Sequence, residues 1–146
     1  PQALKPQALK RVQKDAWVLN NLTEDLRSDR HVALAAVRKH GCALQFAAAE
    51  VLADREVLLE AVRQHGRALA QAPEPMRADR ELVREAVRQC GMALEFASED
   101  LRADREVVLE ALRQDGNALS YASEELRKDR AMRIEANANR GWAKPG

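Results

Sequence analysis

The chain has 146 residues, enough for one domain with a continuous core. Only 3% are aromatic, so alanine and aliphatic side chains must supply the packing. Its 24 basic and 23 acidic residues leave a net charge of +1, which argues against a strong nucleic-acid binder, and no apolar run approaches the ~20 residues of a membrane span.

In chain order, residues 1–15 open with Pro-Gln-Ala-Leu-Lys twice. A proline at the first position suggests a fragment or a processed chain. Lys5, Lys10, Arg11 and Lys14 make this stretch basic. It reads either as an extended arm or as a degenerate helix with Leu9 and Val12 on one face. Residues 16–28 look like the second half of a unit whose full form follows, and Trp17 falls where the later units vary.

From there the pair Asp-Arg recurs every 25 residues, at Asp29-Arg30, Asp54-Arg55, Asp79-Arg80, Asp104-Arg105 and Asp129-Arg130. Gly41, Gly66, Gly91, Gly116 and Gly141 follow in the same register. A period of this size predicts a stacked, quasi-one-dimensional array.

Within a unit the aspartate is a good N-cap, because its carboxylate can accept first-turn backbone N–H groups. The next segment predicts a helix of about three turns. Glu56, Glu81 and Glu106 lie near its N-terminus and Arg63, Arg88 and Arg113 near its C-terminus, as the macrodipole favours. Val57, Leu58, Ala61 and Val62 in one unit, and Val107, Val108, Ala111 and Leu112 in another, form one apolar stripe. Glu60 with Arg63 and Glu110 with Arg113 predict local i, i+3 pairs on the opposite face. Glycine is expected to stop the helix as a left-handed cap. A shorter helical segment follows, with Leu44 and Phe46, Leu94 and Phe96, or Leu119 and Tyr121. Ser98 and Ser123 then cap a brief turn that leads into the next aspartate.

The string DREVVLEALRQDGNALSYASEELRKD, residues 104–129, resembles a helical repeat family known as domain of unknown function 4116. The resemblance covers about residues 29–136 and extends more weakly back to residue 16. It implies tandem helical repeats of a kind found in algae, other protists and some bacteria. It implies no activity and brings no catalytic residues.

Departures from the repeat are the better functional candidates. Gln71 replaces an aromatic residue, Pro73 and Pro75 follow, Met76 replaces leucine, and Arg84 stands where Leu34, Leu59, Leu109 and Ile134 stand elsewhere. The prolines are expected to end the short helix early, and these residues are candidate partner contacts, with Trp17 and Trp142. His40 and His65 share one repeat position, continued by Cys90, Asp115 and Arg140. They suggest a metal or pigment ligand set, but equivalent atoms in stacked units should lie too far apart to share a tetrahedral ion. The arginines at 38, 63, 88 and 113 suggest a phosphate track, but glutamates at 60, 85 and 110 lie a turn away. No nucleophile, base and orienting group occur together, nor a Gly-rich phosphate loop or a His-Glu-x-x-His motif.

The expectation is therefore an all-α fold, an α-solenoid of about five 25-residue helix–turn–short-helix repeats. Its parts are a basic arm or degenerate helix at 1–15, a repeat domain at 16–140 and a tail at 141–146, with Asn137 and Asn139 marking a wetter terminal face. The expected role is a non-enzymatic scaffolding subunit, without cofactor or metal, that contacts other protein subunits of a larger assembly. A peripheral place in an algal plastid photosynthetic complex is one setting. The alternatives are a nucleic-acid-binding repeat protein, or a pigment- or ligand-binding module using His40, His65 or Cys90.

Overall fold

A computed structural model of the protein describes residues 4–140. Among these residues every regular element is helical, and the same three-part unit recurs. A long helix comes first: α1 (Lys5–Lys14), α3 (Arg30–Lys39), α5 (Arg55–Gln64), α7 (Arg80–Gln89), α9 (Arg105–Gln114) and α11 (Arg130–Ala138). A 3₁₀ helix follows each of the first five: Ala16–Asn21, Gly41–Phe46, Gly66–Gln71, Gly91–Phe96 and Gly116–Tyr121. A short helix then closes the unit: α2 (Glu24–Arg27), α4 (Ala49–Leu52), α6 (Glu74–Arg77), α8 (Glu99–Arg102) and α10 (Glu124–Lys128). Each long helix packs on the next, and the 3₁₀ helices form a second row beside them. The architecture is an α-solenoid. The stretch open to two readings, arm or helix, is helical as α1 and packs on α3.

Burial divides the apolar stripe into two pairs. In α5 and α9, Val57, Leu58, Ala61, Val62, Val107, Val108, Ala111 and Leu112 are all fully buried. The two end helices separate the pairs. In α1 only Ala8 and Val12 are buried, while Gln7 and Arg11, at the register positions of Val32 and Ala36, are exposed. In α11 only Met132 and Ala136 are buried, while Arg133 and Asn137, at the positions of Val108 and Leu112, are exposed. One pair thus faces the preceding unit and the other faces the following unit. Both ends of the described stack turn polar side chains outward at these positions, as repeat arrays do to keep their terminal faces wetted, while Ile134 on α11 is 58% exposed beside Arg133. Leu109 is only partly buried, so the interior position of that turn belongs to Val107 and Val108.

The repeated Asp-Arg pair has a physical cause that spans two units. Asp104 Oδ1 accepts from the backbone N–H groups of Glu106 and Val107 at 3.0 and 3.3 Å, capping α9. Its Oδ2 accepts from Arg80 Nε of the preceding unit at 2.9 Å. Asp79 receives Arg55 Nε at 2.8 Å, and Asp54 receives Arg30 Nε at 2.6 Å. The second arm of each arginine reaches the glutamate two residues past that aspartate: Arg30 to Glu56, Arg55 to Glu81 and Arg80 to Glu106. Arg105 meets Asp129 at 3.1 Å, and Ala131 stands where the glutamate would be. At the other end Lys5 takes the arginine's place and reaches Asp29 at 3.0 Å. Each aspartate therefore caps its own helix and ties it to the unit before.

Two local expectations are corrected. Among the described residues no glycine has a positive φ, so glycine is not a left-handed cap. Each long helix that precedes a 3₁₀ helix ends instead on an extended residue, at Asp15 before Ala16 in the first unit and then, before glycine, at His40, His65, Cys90 and Asp115. Gly41, Gly66, Gly91 and Gly116 are buried at the start of the 3₁₀ helices. Close approach is what demands glycine there. A Cβ at Gly66, Gly91 or Gly116 would collide with the carbonyl oxygen of Ala86, Ala111 or Ala136 in the next unit. Glu60 and Glu110 also pair differently from the local i, i+3 scheme, which Glu85 and Arg88 keep at 3.3 Å. Glu60 faces Arg38 and Glu110 faces Arg88, both from the preceding unit. The gap between units is narrower than the reach of either side chain, so the cross-unit partner competes well with the local one.

Candidate functional site

The prolines sit in positions where proline costs little. The backbone at Pro73 (φ −65°, ψ 158°) matches that at Ser98 (φ −62°, ψ 160°) and Ser123 (φ −58°, ψ 159°). Pro75 lies in the first turn of α6, where its missing N–H has no intrahelical partner to lose. The 3₁₀ helix before them keeps the full six residues, so the expected early end does not occur. What Pro73 does remove is a tie between units. Ala48, Ser98 and Ser123 donate their backbone N–H to Arg27, Arg77 and Arg102 carbonyls at 3.3, 3.0 and 2.9 Å. Pro73 has no N–H to offer Leu52 at the same register. Pro73 also lacks the side-chain cap that Thr23, Ser98 and Ser123 supply.

The candidate contact residues do not form one patch. Met76 is partly buried against the core, whereas Leu26, Val51 and Leu101 at its register position are buried, and Gln71 and Pro75 are exposed while Pro73 is half-buried. Arg84 turns away to α9, where its Nε donates to Glu110 Oε1 at 2.6 Å while Arg88 Nε donates to Oε2 at 2.8 Å. It is a rung of the inter-unit charge ladder. Trp17 is 43% exposed on the first 3₁₀ helix. Trp142 lies outside the described residues.

Gln71 belongs to a different constellation. It lines a groove of about 280 Å³ with Gly41, Cys42, Leu44, Gln45, His65, Arg67 and Ala68. Phe46, Phe96 and Tyr121 are half-buried at its register position, so the exchange for an exposed amide leaves this groove open. Beside the groove the rings of His40 and His65 stack with centroids 5.3 Å apart and planes 23° apart. Trp17 closes the other side of His40 at 5.2 Å and meets Phe46 edge-on at 5.4 Å. Gly41 makes this approach feasible, since a Cβ there would lie 2.9 Å from His65 Cδ2.

One ligand atom from each of His40, Cys42 and His65 lies within 4.8 Å of the others. The two histidines therefore lie closer than the spacing of stacked units implies. Two facts account for it. The residues before glycine lean over the preceding unit's glycine, which brings the two rings together. Cys42 enters from the next repeat position, two residues beyond His40, while Cys90 is not part of the group. The signal in the sequence is the spacing His-Gly-Cys followed by a second histidine one period later. A third surface was not visible in the repeat consensus at all. Arg77 and Arg102, with Glu74, Phe96, Glu99 and Asp100, line a groove of about 520 Å³ along the short helices, and the Nε groups of Arg77 and Arg102 are buried there without a hydrogen-bond partner.

The arginines at 38, 88 and 113 face glutamates at 3.9, 2.8 and 3.9 Å, so the row is an ion-pair ladder with alternating charge. Among the described residues no helix is long and apolar enough to cross a membrane.

Stacked capped helices, tied unit to unit and closed by polar ends, define a helical-repeat solenoid. The model of a family described as domain of unknown function DUF4116 matches residues 7–52, 54–102 and 104–143, each match spanning about two of the 25-residue units. The chain belongs to that family. No curated protein and no solved structure matches it.

Proposed function

We propose that this chain is a non-catalytic scaffold that binds other protein subunits through the sides of its stack. The observation that carries this reading is the distribution of chemistry in the array. The recurring carboxylates are occupied as helix caps and inter-unit ties, and the helix faces at both ends are polar. The side surface, by contrast, breaks its own regularity at Trp17, Gln71 and Pro75, which stay exposed. A large aromatic side chain held rigidly against Phe46 and left in water is a good anchor for a protein partner. The stack is stiff because each unit is tied to the next, so a partner would meet a preformed surface and little ordering cost.

The occurrence of such repeats in algae makes a peripheral subunit of a plastid photosynthetic complex the setting to test first. The test is native sizing of the endogenous protein, with photo-crosslinkers placed at Trp17 or Gln71 and, as a control, at Lys128. The expected result is a large assembly, with discrete adducts from positions 17 and 71, those from position 71 weakened when Trp17→Ala is added. A partner-free monomer in the source cell would overturn the reading.

A further inference from the structure

We propose that His40, Cys42 and His65 form a binding site for one thiophilic d¹⁰ metal ion, zinc(II) or copper(I), at the edge of the first two glycine-led 3₁₀ helices. The donor set is two imidazoles and one thiolate, the chemistry these ions take in preference to hard cations. The three ligand atoms lie within 4.8 Å of one another before any ion is bound. Bond lengths of about 2.0–2.3 Å require donors roughly 3.3–3.8 Å apart, so closing the site takes a movement of about an ångström. His65 can supply that movement, because it is exposed and makes no capping bond.

His40 is held more firmly, and its present bond sets its proton. Cys42 N–H donates to His40 Nδ1 at 3.3 Å, so the neutral ring carries its proton on Nε2. Ligation through Nε2 shifts that proton to Nδ1 and gives up this bond. Ligation through Nδ1 replaces it. Either cost is small, since the bond is long beside the 2.9 Å Asn117 N–H to Asp115 cap at the same repeat position. The Cys42 thiol releases its proton to solvent on binding, and the thiolate offsets the ion's charge next to Arg67, which lines the same groove. Trp17, packed against His40, shields one side. The fourth position opens to the groove, where water, or the Gln45 or Gln71 amide, can complete a tetrahedral zinc shell, while copper(I) accepts three ligands.

None of this comes from the repeat itself. The other units place Arg67, Met92 and Asn117 at the position of Cys42, and Cys90 and Asp115 at that of His40. Among the described residues the site exists once along the stack, at the end nearest the exposed tryptophan.

The test is titration of the reduced full chain with cobalt(II) as a spectroscopic stand-in for zinc, then displacement by zinc(II), with copper(I) measured separately against a chromogenic chelator. The expected result is saturation at one ion per chain, with thiolate-to-cobalt charge-transfer absorption. Because outer-shell changes alone cost roughly 10–100-fold in affinity, loss of a ligand in Cys42→Ser or His65→Ala should weaken binding by more than about 100-fold. Cys90→Ser should bind as the parent does. Circular dichroism checks that each variant keeps its helices, and exposed His65 makes His65→Ala the safer of the two. No saturable binding by the parent chain overturns the proposal. So does a charge-transfer band that survives Cys42→Ser or disappears only in Cys90→Ser.

Discussion

Glycine shows how a repeat position can be conspicuous in sequence for a reason other than the obvious one. A left-handed cap would make every Gly→Ala exchange costly by a similar amount. Close approach makes the cost depend on what lies opposite. At Gly91 the obstacle is a backbone carbonyl, that of Ala111, which cannot move without its helix. At Gly41 the nearest atom is the edge of the exposed His65 ring, and the Ala61 carbonyl lies 3.1 Å from the added Cβ. Gly91→Ala should therefore destabilise by about 1–3 kcal/mol, the usual range for overpacking, and Gly41→Ala by distinctly less. Urea denaturation of the two variants measures the difference, and equal losses would contradict the close-approach account. The sequence displayed the glycines but not their cause, because the colliding atom belongs to a residue 20 positions on, in another unit. The sequence singled out His40 and His65 as possible ligands but not Cys42 as the residue that joins them. The register relates equivalent residues, whereas the cluster joins two non-equivalent positions across a unit boundary.

At the scale of a helix, the sequence was far more informative, because caps and stripes are local. The apolar stripe inferred for α5 and α9 is the set of residues buried in each. Asp54, Asp79 and Asp104 cap the helices they precede. What periodicity could not show is that these aspartates also accept from the preceding unit. The arginine hydrogen bonds hold the carboxyl groups of Asp79, Asp104 and Asp129 below their ordinary value, and the backbone N–H groups of the cap add to the effect at all three. A carboxylate depressed by folding stabilises the fold above its unfolded pKa, and the contribution is lost as pH falls through the folded value. The melting temperature should stay level from about pH 8 to 5 and fall below about pH 4. Asp104→Asn keeps a good capping residue but removes the charge and its titration. Its melting temperature should lie below the parent's at neutral pH and approach it in acid. Added salt should narrow the neutral-pH gap, since the arginine arms are partly exposed and screened. A gap that persists at low pH would assign the loss to the cap alone. Packing contributes more than either: Leu94 is fully buried, and Leu94→Ala should cost on the order of 2–5 kcal/mol in the same denaturation assay.

In the whole array, stability is close to a sum of the units' own stabilities and the contacts between nearest neighbours, so one altered junction changes the cooperativity of the stack. The junction at Pro73 is the altered one. Its hydrophobic partners are in place, with Ala33, Val37, Val57 and Ala61 all fully buried, but a backbone tie and a helix cap are both missing. Pro73→Ser restores the means to make both. The backbone there already has the angles that Ser98 and Ser123 use when they cap α8 and α10, so serine fits without strain. The introduced hydroxyl would accept from Met76 N–H, and the new backbone N–H would reach the Leu52 carbonyl. Against this stands the loss of proline's restriction of the unfolded chain, about 0.4–1 kcal/mol. A cap contributes about 0.5–2 kcal/mol and a backbone hydrogen bond about 0.5–1.5 kcal/mol, so the sum favours serine by roughly 1 kcal/mol. Pro73→Ser should raise the melting temperature and slow amide exchange in α6, while Ser98→Pro should lower the one and speed exchange in α8. If Pro73→Ser is instead destabilising, proline's stiffness outweighs the missing tie, and the first and second full units, residues 29–78, are already as firmly joined as the rest.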